Sequence, residues 1–125
     1  MYGYAVNNNF NYLPYGVYIA NKVAKSLDEY KRANSYLKSD GKVQVTIDSD
    51  TIINLTISIQ HTQDAIIESV RKDIKNLISS IIDVDNTIIS INNNSRFING
   101  GFINDTGLTG RKIMVDTYGG IVNHG

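Results

Sequence analysis

Two runs of strict alternation stand side by side in the middle of this chain. Val43, Val45 and Ile47 alternate with Gln44 and Thr46; beyond Asp48-Ser49-Asp50, Ile53, Leu55, Ile57 and Ile59 alternate with Asn54, Thr56, Ser58 and Gln60. A period of two sends successive side chains to opposite faces of a strand, so each run has one apolar and one polar face. The short turn between them makes the pair a β-hairpin buried on one side. That buried side needs a second layer, and the flanking sequence supplies one.

Before the hairpin, Leu13, Val17, Ala20, Val23, Ala24, Leu27 and Tyr30 recur at helical spacing, with Lys22, Lys25, Asp28, Glu29 and Lys31 on the other face. Pro14 suits a helix start, where its missing N–H costs nothing. The spacing predicts a helix over about Tyr15 to Ala33. After the hairpin, Thr62 is a candidate N-cap for a second stripe of Ile66, Ile67, Val70, Ile74, Leu77, Ile78 and Ile81. Asp83 to Asn86 interrupts it, and Thr87 to Ile91 has the residues of a short strand. Tyr2 to Val6 has strand-like residues too, ending in the turn Asn7-Asn8-Asn9, while Ser39-Asp40-Gly41-Lys42 is a turn signal. The expected order is β-α-β-β-α-β, an α+β two-layer sandwich with two helices on one face of a mostly antiparallel sheet.

The 125 residues suffice for one compact domain, and 42% apolar against 19% charged residues excludes the composition of a disordered chain. Twelve basic residues cancel twelve acidic ones. The balance holds locally, six against five up to Thr62 and six against seven beyond it, so no basic field draws in nucleic acid or an acidic membrane. The absence of cysteine excludes disulfides, thiolate chemistry and Cys-type zinc sites. No apolar run is long enough to span a bilayer, and no secretory signal opens the sequence, so a cytoplasmic setting is expected.

Residues 95–125 differ from the rest. Gly100, Gly101, Gly107, Gly110, Gly119 and Gly120 fall among polar residues, with no periodicity before Ile113-Met114-Val115. A glycine-dense stretch of this length is more often functional than structural. It carries Arg96-Phe97, Asp105 and Arg111-Lys112. Backbone amides freed by glycine beside an Arg-Lys pair suit a polyphosphate, for which Arg offers a bidentate fork and Lys a point charge. Gly110-Arg111-Lys112-Ile113 lacks the Gly-Lys-Ser/Thr of a P-loop, so ordinary NTPase chemistry is not supported. A flexible surface loop remains the bland alternative. His61, at a strand end beside a helix start, reads as a hydrogen-bonding structural residue. No histidine cluster has the spacing of transition-metal ligands.

The fourteen residues Gly107-Leu108-Thr109-Gly110-Arg111-Lys112-Ile113-Met114-Val115-Asp116-Thr117-Tyr118-Gly119-Gly120 closely resemble the most diagnostic stretch of S-adenosylmethionine synthetases. Companion segments fall in the family's order. Met1-Tyr2-Gly3-Tyr4-Ala5 resembles its strand ending in Gly-Tyr-Ala, and Asp40-Gly41-Lys42-Val43-Gln44-Val45-Thr46 its Asp-x-Lys-x-Gln-Val-Thr. Ser58-Ile59-Gln60-His61 resembles its Ser-x-Gln-His, and Arg96-Phe97 its Gly-Arg-Phe. The resemblance covers the whole chain, read as one domain like the family's central domain with a nucleotide-site segment at 95–125.

The resemblance implies a two-step reaction: methionine sulfur attacks C5′ of ATP and expels triphosphate, which is then cleaved to diphosphate and phosphate. It implies ATP-binding roles for Asp40, Gly41, Lys42, Arg96, Phe97, Asp105, Arg111 and Lys112, with Phe97 stacked on adenine. Lys42, Arg111 and Lys112 would act in catalysis, and Asp105 would also hold methionine. Mg2+ and K+ are implied, with no metal ligand inside this chain, and so is a homo-oligomer formed through the polar sheet face of Gln44, Thr46, Asn54, Thr56 and Ser58. The chain departs from the family at Asn93-Asn94-Ser95, where Pro-Thr-Gly is usual, and at Gly101-Phe102-Ile103-Asn104-Asp105, which lacks a proline and a glycine. Segments resembling the family's N-terminal catalytic His and the later metal-linked Asp are not found, so the isolated chain is expected to be inactive. The alternative is a non-catalytic, divergent module that binds a synthetase subunit or is purely structural.

Overall fold

The computed structural model of the chain describes residues 3–93 and 95–123. Met1, Tyr2, Asn94, His124 and Gly125, some of which fall in the motifs above, lie outside the described residues. Helix α1 (Tyr15–Ala33) is followed by strand β1 (Leu37–Asp48), strand β2 (Thr51–His61), helix α2 (Ile67–Ile81) and strand β3 (Ile88–Ile91). A single 3-10 turn, Gly101–Ile103, lies in the glycine segment. Both helices pack on one side of a mixed three-stranded sheet of order β1-β2-β3, an α+β fold with a β-α-β-β-α-β-like arrangement. The long pair β1–β2 is antiparallel and the short pair β2–β3 parallel, the latter joined through α2 as a crossover connection requires. No helix among the described residues is long and apolar enough to cross a membrane.

The core is the meeting of the expected stripes. Ile19, Val23 and Leu27 of α1 and Val70, Ile74 and Ile78 of α2 bury against Leu55, Ile57 and Ile59 of β2. The bounds of α1 match the expected helix, with Pro14 at its N-cap.

Four local expectations are corrected. The described residues Gly3 to Val6 form no strand; the Val6 N–H instead bonds the Tyr12 carbonyl across a loop in which Asn11 and Tyr12 take positive φ. Ser39-Asp40-Gly41-Lys42 is not a turn but part of β1. There four steps along β1, from Leu37 to Gly41, span two along β2, from His61 to Ile59. The bulge absorbs the residues whose composition signalled a turn. Thr62 does not cap α2, which starts five residues later with Ile66 at its N-cap. The Thr62 N–H is still bonded to the Tyr36 carbonyl, and its own carbonyl accepts from the Ala65 N–H. Finally, Ile52 rather than Ile53 faces the core, because a register shift between Thr46 and Ile47 changes the phase of alternation at the hairpin end.

The Tyr36 hydroxyl donates to Asp73 Oδ2 at 2.7 Å and ties the α1–β1 loop to α2. Burial, then the bond to the Asp73 carboxylate, raises the Tyr36 pKa above the usual tyrosine range. A raised folded pKa means that the contribution is complete below the ordinary tyrosine value and is lost only as pH climbs through the higher folded one. Tyr36→Phe is expected to lower unfolding free energy by about 1–2 kcal/mol in urea titrations near neutrality. The gap should close only in strong alkali; a gap that instead closes on acidification to weakly acid pH would contradict the assignment.

Candidate functional site

The helix-free face of the sheet is polar. Gln44 and Thr46 on β1 are exposed, and Asn54, Thr56 and Ser58 on β2 are half-buried. Against this face opens a cavity of about 570 Å³, floored by Thr56, Ser58 and Ser90. Its rim brings together residues from two distant stretches: Asp40, Gly41 and Lys42 from the β1 bulge, and Arg96 and Phe97 from the segment after β3. The bulge lets Gly41 lie close to β2, where an added Cβ would come 3.1 Å from the Ser58 carbonyl oxygen.

The segment at 96–101 is fastened to the sheet by side chains at the end of β2. His61 is fully buried. Its backbone N–H donates to the Phe97 carbonyl at 2.9 Å, and its Nε2 accepts the Phe97 N–H at 3.1 Å. Nδ1 lies 2.8 Å from the Thr62 carbonyl, which can only accept, so the proton sits on Nδ1 and the ring is neutral. The reading of His61 as a hydrogen-bonding structural residue fits this geometry. Gln60, also buried, accepts the Asp40 N–H at 3.2 Å and donates to the Ile98 carbonyl at 2.9 Å. Asp40 closes the ring, its Oδ2 accepting the Gly101 N–H at 2.8 Å. The Arg96 guanidinium turns to the Gln63 and Ala65 carbonyls, fixing the base of the segment to the loop before α2.

A second support lies behind the cavity. Asn92 is buried, and its side-chain amide spans both backbone groups of Ile59, accepting the N–H at 2.8 Å and donating to the carbonyl at 2.9 Å. It prolongs the parallel ladder past Ile91 as though its side chain were another peptide unit. Arg71 on α2 donates to the Ile91 and Asn92 carbonyls at 3.1 and 2.8 Å, holding the strand end from the other side. The sequence reading gave Gln60, Asn92 and Arg71 no such roles. One signal was present: His61 keeps the core-facing phase of Leu55, Ile57 and Ile59, and a polar side chain in a buried phase needs partners. No comparable signal marks Asn92 or Arg71.

The other candidate residues lie elsewhere. Asp105, Arg111 and Lys112 are exposed and do not line the cavity. The Asp105 N–H bonds the Gly101 carbonyl, and Lys112 Nζ lies over Gly107. Neither Arg111 nor Lys112 has an ion-pair partner among the described residues. The segment returns to the body through Tyr118, whose hydroxyl accepts the Tyr4 N–H at 3.2 Å while the two rings meet edge on, and through Ile121, which lies over Gly16. Among the described residues no three His, Cys, Asp or Glu side chains stand close enough to hold a metal ion together, so none is assigned to one.

Residues 1–99 match the family model of the S-adenosylmethionine synthetase central domain, and residues 99–125 that of the C-terminal domain of the same family. The fold is similar to a solved structure of an unusual S-adenosylmethionine synthetase from Campylobacter jejuni, with 30% sequence identity and a TM-score of 0.81 over 90% of this chain. This chain spans about a third of that one, 34% of its length. The boundary at residue 99 falls inside the loop that Gln60, His61 and Asp40 fasten down. With the central-domain match covering most of its length, the chain belongs to the S-adenosylmethionine synthetase family.

Proposed function

We propose that this chain supplies part of the nucleotide site of a methionine adenosyltransferase, which forms S-adenosylmethionine from ATP and L-methionine in the cytoplasm. The observation that carries the reading is the convergence of Asp40, Gly41, Lys42, Arg96 and Phe97 on one cavity, from stretches more than fifty residues apart. The Phe97 ring offers a stacking surface for adenine, Asp40 an acceptor for ribose or base, and Lys42 a positive charge for phosphate. Arg111 and Lys112, on a glycine-rich segment without ion-pair partners, are free to close on a triphosphate and stabilise charge as it leaves C5′. Asp105 would meet the methionine amino group. Mg2+ and K+, as family cofactors, would be held by residues outside this chain. A homo-oligomer through the polar sheet face would bring a second chain against the cavity.

Amide exchange with and without ATP tests the reading. ATP should slow exchange across residues 96–112, with affinity no better than about millimolar, equivalent to ~4 kcal/mol, because only part of the site is present. Arg111→Ala should abolish the protection around residues 107–112. Equal protection in both proteins would show that the Arg-Lys pair is a solvated feature. A second reading, a non-catalytic module seated on a synthetase subunit, draws on the exposed Phe102, Ile103 and Val115. It gains if ATP protects nothing while an intact synthetase subunit protects residues 102–115.

A further inference from the structure

Asn99-Gly100 is the one Asn-Gly step in the sequence, and it follows by two residues the Arg96-Phe97 pair that lines the cavity. In such a step the backbone nitrogen of the second residue can attack the asparagine side-chain carbonyl. Any other residue hinders that attack with its side chain, whereas glycine leaves the path open. Asn99 is exposed and outside helix and strand. The Gly100 N–H has no hydrogen-bond partner among the described residues. The neighbours on both sides are anchored, Ile98 by its carbonyl to Gln60 and Gly101 by its N–H to Asp40. The reactive peptide is therefore an unbonded span between two fixed points.

Packing also explains why residue 100 is glycine. A Cβ there would come 2.8 Å from Asp40 Oδ2 and 2.8 Å from Phe97 Cε2, with the Asp40 Cβ at 3.1 Å. The contact that seats the loop beside Asp40 and Phe97 demands the residue that leaves Asn99 open to attack. Asp40-Gly41, the one Asp-Gly step, is differently placed: it lies in β1 with Gly41 opposite Ile59 in the sheet.

We propose that Asn99 is a site of spontaneous deamidation that writes a negative charge two residues beyond Phe97, on the segment that borders the cavity. The Gly100 nitrogen bonds to the Asn99 side-chain carbon and the carbon–NH2 bond breaks. The Gly100 proton leaves with that NH2 as ammonia, giving a succinimide. Water then opens either carbonyl of the ring, giving aspartate or isoaspartate, so the sum is asparagine plus water to an acid plus ammonia. The new carboxylate falls on the residue between the two anchors, two positions before the Gly101 N–H that Asp40 accepts, and the isoaspartate form also inserts a methylene into the main chain there. Weaker binding of a polyanion follows, a consequence that rests on the nucleotide reading; the covalent change does not.

The full chain, aged in mildly alkaline buffer and mapped by peptide mass spectrometry with isoaspartate-specific methylation, should convert at Asn99 ahead of every other asparagine. Isoaspartate should be in excess, and Asn99→Gln should stay intact. An Asn99 that remains amidated in the folded chain but converts in urea would overturn the proposal, because the loop would then protect the step. Asn99→Asp should bind ATP several-fold more weakly than Asn99→Gln in the exchange assay. Equal binding by the two would refute the effect of the charge while leaving the conversion standing. No ATP protection in the unmodified chain would count against the nucleotide reading alone, since the mass map is read without ligand.

Discussion

Asn92→Ala is expected to cost about 2–5 kcal/mol, because it strands the buried N–H and carbonyl of Ile59 together. That is a large share of the roughly 5–15 kcal/mol that holds a domain of this kind folded. The loss has two parts that separate experimentally. Urea unfolding should show the midpoint falling, and the Ile59 amide should lose its exchange protection well before the Leu55 and Ile57 amides. Asn92 also sits at a φ of +45°, a region that asparagine tolerates better than alanine, so the backbone adds to the cost in the same direction. A protected Ile59 amide in the variant would show that something else satisfies it and that the side chain does not extend the ladder.

Gly100→Ala should be nearly as disruptive locally. The obstacle is packing and not backbone conformation, since φ at Gly100 is −162°, extended backbone open to any residue. Relief requires the Asp40 carboxylate and the Phe97 ring edge, each 2.8 Å from the added Cβ, to move away, and the Asp40 carboxylate cannot do so without loosening its bond to the Gly101 N–H. Overpacking of this kind costs about 1–3 kcal/mol. The bond from the Gly101 N–H to Asp40 should break, exposing that amide to exchange, and ATP protection of residues 97–101 should vanish while the helices stay native. An unshifted Gly101 amide would contradict the close contact.

The two layers were legible because each rests on many residues repeating one period. A seven-position stripe survives a few exceptions, and α1 and the hairpin emerge where periodicity places them. Features that depend on one or two residues were not legible. The bulge at Asp40-Gly41 has the composition of a turn, and only pairing with β2 reveals it as strand. The phase change that exchanges Ile52 for Ile53 depends on register, a property of two strands that neither run specifies alone. Asp40 and Lys42 were singled out through motif resemblance and Arg96 and Phe97 through the glycine segment that carries them, whereas Gln60, Asn92 and Arg71 act through bonds to main-chain groups twenty or more positions away. Main-chain partners leave no imprint on sequence, since every residue type offers the same carbonyl. Beyond residue 100 glycine removes the periodic signal altogether, and the order that remains there comes from contacts such as Tyr118 with Tyr4.

The cavity opens on the same polar face of the sheet through which the proposed homo-oligomer would form. A nucleotide and a second chain on that wall would be linked wherever either changes the surface the other meets. Whatever factor a bound nucleotide applies to self-association, self-association must apply to nucleotide affinity, with the same sign and size. The amount of chain present would then act as an effector of its own site.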